Sequence, residues 1–260
     1  MIKILKYSFF DMIRSRWTLI YAAFYMLFTV SLLWLSADLS KVIISLMNVI
    51  LVLVPLVATM FSVMYYYNSR EFVELLLAQP IKRSNIFLGQ YFGIASSLAL
   101  SLLVGVGLPF VIYGVFQSPE IFNFLILLFV GIFLSFIFSA IAFFIALKNE
   151  NKIKGFGFAI LVWLFFAIIY DGVFLLLLVY FNDYPLENFA IATSMFNPID
   201  LSRILILLKL DISALMGYTG AVFQKFLGSG IGIFLAFGML IMWVGIPTFW
   251  IKRVSARKDF

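Results

Sequence analysis

The chain has 260 residues, of which 65% are apolar and only 12% are charged, whereas a soluble domain is closer to half apolar and a quarter charged. With a mean hydropathy of +1.14, it has too little polar surface to cover a globule in water, which excludes a soluble protein. The absence of Cys and His excludes disulfides, thiolate nucleophiles and imidazole acid–base chemistry. We therefore expect no catalytic residue, metal site or cofactor. The net charge of +6 is interpreted as a membrane-topology signal, with no nucleic-acid partner.

The first predicted element is an amphipathic helix over residues 1–16. Its apolar positions recur at helical spacing at Ile2, Leu5, Phe9 and Ile13. Its cations are Lys3, Lys6, Arg14 and Arg16. This pattern predicts a helix on the cytoplasmic face of a membrane, with its cations at the level of the lipid headgroups. The alternative is a disordered basic tail.

Six apolar stretches are each long enough to cross a lipid bilayer, for which about 20 residues suffice. They cover residues 17–37, 42–67, 91–116, 121–147, 155–181 and 229–251. The first stretch is too long for a signal peptide, and no small-residue cleavage site follows it. The pattern predicts an all-α integral membrane protein with a single transmembrane domain over residues 1–260.

The distribution of Lys and Arg predicts how the spans are oriented. If the N-terminus is cytoplasmic, only four of the 18 cations fall outside, and 14 fall inside. The outside cations are Lys41, Arg203, Lys209 and Lys225. Because cytoplasmic loops carry the excess of Lys and Arg, we expect both termini in the cytoplasm.

Two features inside the spans are candidates for specific roles. Asp171 is an acid within the fifth apolar stretch, and such residues are functional candidates by default. It lies near the outer end, where it can also reach water or bond within the helix bundle. Gly105 and Gly107 in the third stretch are expected to allow close helix packing.

The segment 68–90 joins the second and third spans. Phe72, Leu75 and Leu76 share one helical face, which predicts a short amphipathic helix. Pro80 is expected to stop this helix, and Ser84 is expected to cap the next one. The alternative is an ordinary interfacial loop.

The 47 residues 182–228 form the long outer segment before the last span. Asn197 is a good helix N-cap, Pro198 suits the first helical position, and Asp200 falls in the first turn. Leu205 and Leu208 lie on one apolar face of the predicted helix. The alternative is a helix that rests on the outer leaflet without a partner.

The pattern of the inner segment resembles the cytoplasmic elbow of ABC-2-type exporter permeases. The matching residues read Arg70-Glu71-x-x-Glu74-Leu-Leu-Leu-x-x-Pro80-x-x-Arg83. The N-terminal helix, the six spans and the outer helical insertion match as well, so the resemblance covers the whole chain. It implies that the elbow binds a separate cytoplasmic ATPase subunit. The implied coupling residues are Arg70, Glu71, Glu74, Leu75, Leu76, Pro80 and Arg83.

Two further expectations concern the energy source and the number of copies. The chain contains no Gly-rich loop ending in Gly-Lys-Ser/Thr, so if ATP drives this protein, another chain must bind it. A six-span half-transporter needs a second copy to form a translocation path. We therefore expect a homodimer in the lipid bilayer.

The outer segment narrows the resemblance to permeases whose transporters support the maturation of nitrous oxide reductase. The similar stretches are Asn197-Pro198-x-Asp200-x-x-Arg203 and Ala214-Leu-Met-Gly-Tyr-Thr-Gly220. This resemblance implies a periplasmic β-helical partner and a role in assembling a copper–sulfur cluster, by delivering a sulfur species or by transmitting motion. The expected docking residues are Asn197, Asp200, Arg203, Leu205, Leu208 and Tyr218. A generic ABC-2 exporter of a lipid, drug or peptide, and a membrane scaffold without transport, remain alternatives.

Overall fold

The computed structural model describes residues 1–36, 38–181, 187–209 and 230–257, and all regular structure within them is helical. The α-helices are α1 (Ile2–Ile13), α2 (Arg16–Leu35), α3 (Leu39–Asn68), α4 (Arg70–Leu77), α5 (Arg83–Tyr113), α6 (Ile121–Lys148), α7 (Lys152–Leu164), α8 (Tyr170–Tyr180), α9 (Glu187–Met195), α10 (Pro198–Lys209) and α11 (Gly230–Arg257). A 3-10 turn at Val115–Gln117 follows α5. A π-helical segment, Phe165–Ile169, joins α7 and α8 into one continuous helix.

Six of the described helices are long and apolar enough to cross a membrane, namely α2, α3, α5, α6, the continuous helix α7–α8, and α11. The predicted all-α membrane fold with six spans is therefore confirmed. The third span, α5, begins at Arg83, earlier than the predicted span start at residue 91. Hydropathy detects the apolar part of a helix, whereas α5 continues beyond that part under α1. Lys82 is the N-cap of α5, so the expected cap at Ser84 is wrong.

The helix ends define two opposite ends of the bundle. We call the end that contains α4 the elbow end. The opposite end is called the hairpin end, after the hairpin of α9 and α10 that is described below. At the elbow end, the hydroxyl of Tyr67 donates to the carbonyl oxygen of Asn149 at 2.7 Å, and Lys152 Nζ donates to Asn68 Oδ1 at 3.1 Å. These bonds tie the end of α3 to the connection between α6 and α7.

The core of the bundle consists of α3, α5 and α6. Each of these three spans buries more than half of its most apolar stretch, whereas the same stretch is 28% buried in α2, 22% in α11 and 0% in α7–α8. The core is filled by large side chains that solvent cannot reach, including Tyr91, Phe110, Phe138 and Phe143. The peripheral spans expose apolar faces that lipid or other membrane helices can cover.

Helix α1 packs against α5 with a face that its apolar periodicity did not predict. Its buried residues are Ile4, Ser8 and Met12, whereas Ile2 of the predicted face is 77% exposed. The reason lies on α5, where a Cβ atom added at Gly93 would stand 2.7 Å from the Cβ of Ser8 and 2.8 Å from the carbonyl oxygen of Leu5. Because α5 has no side chain at Gly93, α1 approaches it closely there, and the small residue Ser8 fits the contact.

The packing role expected for glycines holds for only one of the two predicted positions. A Cβ atom at Gly105 would stand 2.7 Å from the carbonyl oxygen of Ala22, so α2 approaches α5 closely there. A Cβ atom added at Gly107 would have no neighbouring atom within 4 Å, so no helix of the described chain approaches closely there. The expectation is therefore confirmed for Gly105 and wrong for Gly107.

Candidate functional site

The first candidate site is the elbow formed by α4 and the residues up to the start of α5. Only Ser69 separates α3 from α4, and its hydroxyl accepts a hydrogen bond from Gln90 Nε2 at 3.0 Å. Gln90 is fully buried, and Val73 is 3% exposed. Helix α4 is therefore anchored at its start to both α3 and α5.

The structure exposes most of the predicted coupling residues on this elbow. Arg70 Nε lies 3.3 Å from Glu74 Oε1, with more than half of each side chain exposed. Glu71, Pro80 and Arg83 are also exposed, and Leu76 is half-buried. Leu75 is 69% exposed, although the predicted apolar face included it. Val73 takes the buried position because the face of α4 towards α3 and α5 lies to one side of the predicted face.

A contact that the sequence analysis missed links the elbow to the N-terminal helix. The rings of Tyr7 in α1 and Phe72 in α4 are stacked, with centroids 4.7 Å apart. Offset aromatic pairs of this kind contribute about 0.5–1.5 kcal/mol beyond their buried area. Both residues are aromatic residues of amphipathic helices, which is the only sequence signal for the contact.

The second candidate site is a hairpin formed by α9 and α10. Two helices, Phe189–Met195 and Pro198–Leu207, meet at an angle of 114°. Trp243 Nε1 donates to the carbonyl oxygen of Met195 at 3.1 Å, and Asn197 Nδ2 donates to the carbonyl oxygen of Phe166 at 2.9 Å. Phe166 and Trp243 are central residues of α7–α8 and α11.

The tip of the hairpin therefore lies at mid-depth of the bundle, so this part of the segment 182–228 re-enters the bundle instead of lying outside it. Each arm is too short to cross a bilayer alone, which is why the apolar-stretch search did not find it. Residues 182–186 and 210–228 of the segment lie outside the described residues. Asn197 does cap α10, since its Oδ1 accepts from the backbone N–H of Ile199 at 3.0 Å.

An ion-pair cluster fastens the hairpin to α8. Arg203 Nη1 donates to Asp171 Oδ2 at 2.9 Å and lies 3.3 Å from Asp200 Oδ1. Asp200 Oδ1 accepts no hydrogen bond, so this second contact is a charge interaction only. Tyr170 adds a neutral bond, its hydroxyl donating to the carbonyl oxygen of Thr193 at 2.7 Å.

The position of Asp171 thus agrees with one of its two expected roles, bonding within the bundle. Its partner Arg203 was counted as an outer cation, and the pair is separated by 32 residues. Two isolated charges in neighbouring apolar elements are the signal that could have suggested the pairing. The π-helical segment at Phe166 has no sequence signal, but such segments often occur at functional sites.

The predicted docking residues of the outer segment need a correction. Asn197 and Leu205 are at most 1% exposed and Asp200 is 6% exposed, so this chain itself covers them. Arg203 is half-buried in the ion-pair cluster. Tyr218 and the side chain of Leu208 lie outside the described residues, and their docking role stays a prediction. The apolar face of α10 packs against the bundle of this chain.

Six apolar spans define the chain as a multi-pass membrane protein. No protein family model matches it. The chain is 28% identical over 254 residues to the probable ABC transporter permease protein NosY of Stutzerimonas stutzeri, covering 92% of this chain and 85% of the relative. It is 26% identical over 224 residues to the protein of the same description from Pseudomonas aeruginosa, covering 80% of this chain and 81% of the relative. This similarity supports a NosY-like permease of an ABC transporter and confirms the predicted resemblance.

Proposed function

We propose that the chain is the permease subunit of an ABC transporter required for maturation of the copper–sulfur cluster of nitrous oxide reductase. In this proposal two copies pair in the bacterial inner membrane. The elbows bind a cytoplasmic NosF-like ATPase, and the hairpin end faces a periplasmic NosD-like β-helical protein. The similarity to two NosY proteins supports the proposal.

The proposed orientation, with both termini in the cytoplasm, has two independent supports. Helix α1 lies beside the first turns of α5, and Trp250 near the end of α11 contacts Phe144 near the end of α6. Both ends of the described chain are thus at the elbow end. That end also carries 13 of the 16 Lys and Arg residues in the described part of the chain, which is the distribution of a cytoplasmic face.

One observation carries the ATPase contact: an exposed leucine beside exposed acids on an anchored helix. Leu75 is 69% exposed, and Glu71 and Glu74 are exposed on the same short helix. An exposed large apolar side chain with a polar rim suits a protein interface. Because α4 is fastened to α3 and α5, a displacement imposed on it moves two of the three core helices.

The hairpin is the proposed route to the opposite end. Arg203 and Asn197 join the hairpin to α7–α8 by the bonds described above. Tilting of the bundle would therefore carry the hairpin with it and alter the surface offered to a periplasmic partner. Such coupling requires that the ATPase and the partner prefer different states of the bundle. It accommodates either delivery of a sulfur species or transmission of motion.

Charge reversal on the elbow tests the proposal. The double variant Glu71→Lys/Glu74→Lys should bind the ATPase subunit at least about tenfold more weakly, equivalent to about 1.4 kcal/mol, and should fail to support nitrous oxide reductase activity. Leu75→Gln should do the same, with little effect on folding because the side chain is exposed. The measurements are copurification of the ATPase with tagged permease and reductase activity in the producing cells.

The matched control is Glu150→Lys, which makes the same change at an exposed position at the elbow end. It should leave copurification and reductase activity unchanged. Normal ATPase binding and normal reductase activity in the Glu71→Lys/Glu74→Lys and Leu75→Gln variants would remove the elbow from the proposal. Weakened ATPase binding in these variants with unchanged reductase activity would favour a generic exporter of a lipid, drug or peptide.

The orientation is tested by single cysteines in this cysteine-free chain. Gln79 is exposed at the elbow end and Gln117 is exposed at the hairpin end, so a cysteine at either position is accessible to a labelling reagent. A membrane-impermeant maleimide applied to spheroplasts should label Gln117→Cys and should label Gln79→Cys only after permeabilisation. The reverse pattern would invert the proposed topology.

A further inference from the structure

A groove at the elbow end lies between α1, the start of α2, the end of α3 and α4. Its volume is about 500 Å³, and its walls include Tyr7, Arg14, Trp17, Phe61, Tyr65 and Phe72. It opens where α1, which is not a span, meets the first turn of the first span. Tyrosine and tryptophan side chains of this kind concentrate at the boundary between membrane and water.

The groove is bordered by cations that lack acidic partners. A second cleft of about 470 Å³ on α1 is lined by Lys3, Lys6 and Arg14 together with one acid, Asp11. Within the described residues none of these three cations forms an ion pair. Lys6 and Arg14 both approach the ring of Phe10, at 6.0 and 5.9 Å from its centroid. The two charges therefore flank Phe10 on α1, and neither is neutralised by an ion pair within the described residues.

The groove continues into the membrane-spanning part of the chain as an apolar slot. This slot, of about 260 Å³, lies between α2 and α3, and it shares Trp17 and Phe61 with the groove. Its walls run from Trp17 to Tyr25 on α2 and include Val57 on α3. Eight residues of helix correspond to about 12 Å, which is enough for a large part of one acyl chain.

We propose that the groove and the slot together bind one anionic phospholipid. The phosphate lies near Lys6 and Arg14, and one acyl chain lies between α2 and α3. A phospholipid fits both parts because its charged and apolar portions are joined in the same order along the membrane normal, and anionic headgroups attract basic segments at a membrane surface. The cytoplasmic leaflet as its source depends on the orientation proposed above, whereas the binding site itself does not.

The bound lipid would touch the elbow directly. Phe72 of α4 lines the groove and stacks on Tyr7 of α1. The headgroup is therefore in a position to hold α1 and α4 together and to influence how α4 presents Leu75. A lipid at this place would act as a structural part of the proposed coupling surface.

Native mass spectrometry of the full chain tests the proposal, with phosphatidylglycerol and phosphatidylcholine of the same acyl chains as probes. Lys6→Gln/Arg14→Gln should weaken phosphatidylglycerol binding at least about tenfold and should leave phosphatidylcholine binding unchanged. Val57→Phe, which fills the slot and keeps both cations, should weaken phosphatidylglycerol binding as well. Lys252→Gln is the control, because Lys252 borders a different apolar groove between α5, α6 and α11.

Several results would overturn the proposal. These are equal phosphatidylglycerol binding by the wild type and by Lys6→Gln/Arg14→Gln, equally strong phosphatidylcholine binding by the wild type, and inorganic phosphate raising the thermal midpoint as much as phosphatidylglycerol does. If Val57→Phe converts dimers to monomers without changing lipid retention, a second copy of the chain occupies the slot instead. None of these readouts depends on ATP hydrolysis or reductase activity, so the elbow proposal can fail independently.

Discussion

Replacing Arg203 by Met is expected to destabilise the chain by about 3 kcal/mol and to release the hairpin from α8. Arg203 is the cation shared by Asp171 and Asp200, and Asp200 is only 6% exposed. Removing one partner of a buried ion pair costs about 3–5 kcal/mol, because the remaining charge stays unpaired. We expect the lower part of that range, since Arg203 and Asp171 are 30% and 29% exposed.

The measurement is the thermal midpoint of the purified permease, together with protease accessibility of the hairpin. Asp171→Asn should cost less, because it retains an acceptor for Arg203 and leaves the contact with Asp200. The double variant Arg203→Met/Asp200→Asn should recover part of the loss, since the stranded charge is removed, and neighbouring substitutions of this kind are not additive. A midpoint for Arg203→Met equal to that of the wild type would show that the cluster does not stabilise the hairpin.

Truncating Leu205 to Ala is expected to cost about 2–5 kcal/mol, the range for deleting a buried leucine. Leu205 is 1% exposed, and its neighbours Leu201, Ile204 and Ile206 are at most 3% exposed. The cavity would open between α10 and the helices it packs on, which include α3 and α6. The loss should appear as a lower thermal midpoint and reduced yield of the permease alone, without any partner present.

Phe196→Ala is the matched control on the same hairpin. Phe196 is 66% exposed at the tip, so lipid or detergent can fill the space left by its ring, and the cost should be small. A stable Leu205→Ala variant that fails to retain a periplasmic partner would restore Leu205 as a docking residue. Loss of stability in the isolated permease would establish its role in the core.

Much of the membrane architecture could be predicted because lipid restricts what a spanning segment can be. Without water to satisfy backbone groups, a span must be a helix of about 20 largely apolar residues. All six spans followed from this requirement. The break after α4 followed from local chemistry, since the helix ends at Leu77, three residues before Pro80. These features depend on neighbouring residues only, so no tertiary information was needed.

The placement of the amphipathic segments was decided by tertiary structure. An apolar helix face is satisfied equally by lipid, by a partner or by the bundle, so the pattern of α10 did not show that Leu205 is buried within this chain. The buried face of α1 depends on Gly93 of α5. The position of the hairpin depends on the carbonyl oxygen of Phe166 in the π-helical segment, which accepts a hydrogen bond from Asn197.

Composition and periodicity determined by themselves that the chain is a six-span helical membrane protein with a short helix before Pro80. Only the folded chain determined that Asp171 meets Arg203 and that residues 187–209 of the supposed outer segment enter the bundle. The physical reason is the range of the interactions: apolar length and helix capping act within a few residues, whereas an ion pair across 32 residues depends on how α8 and α10 are brought together by the whole bundle.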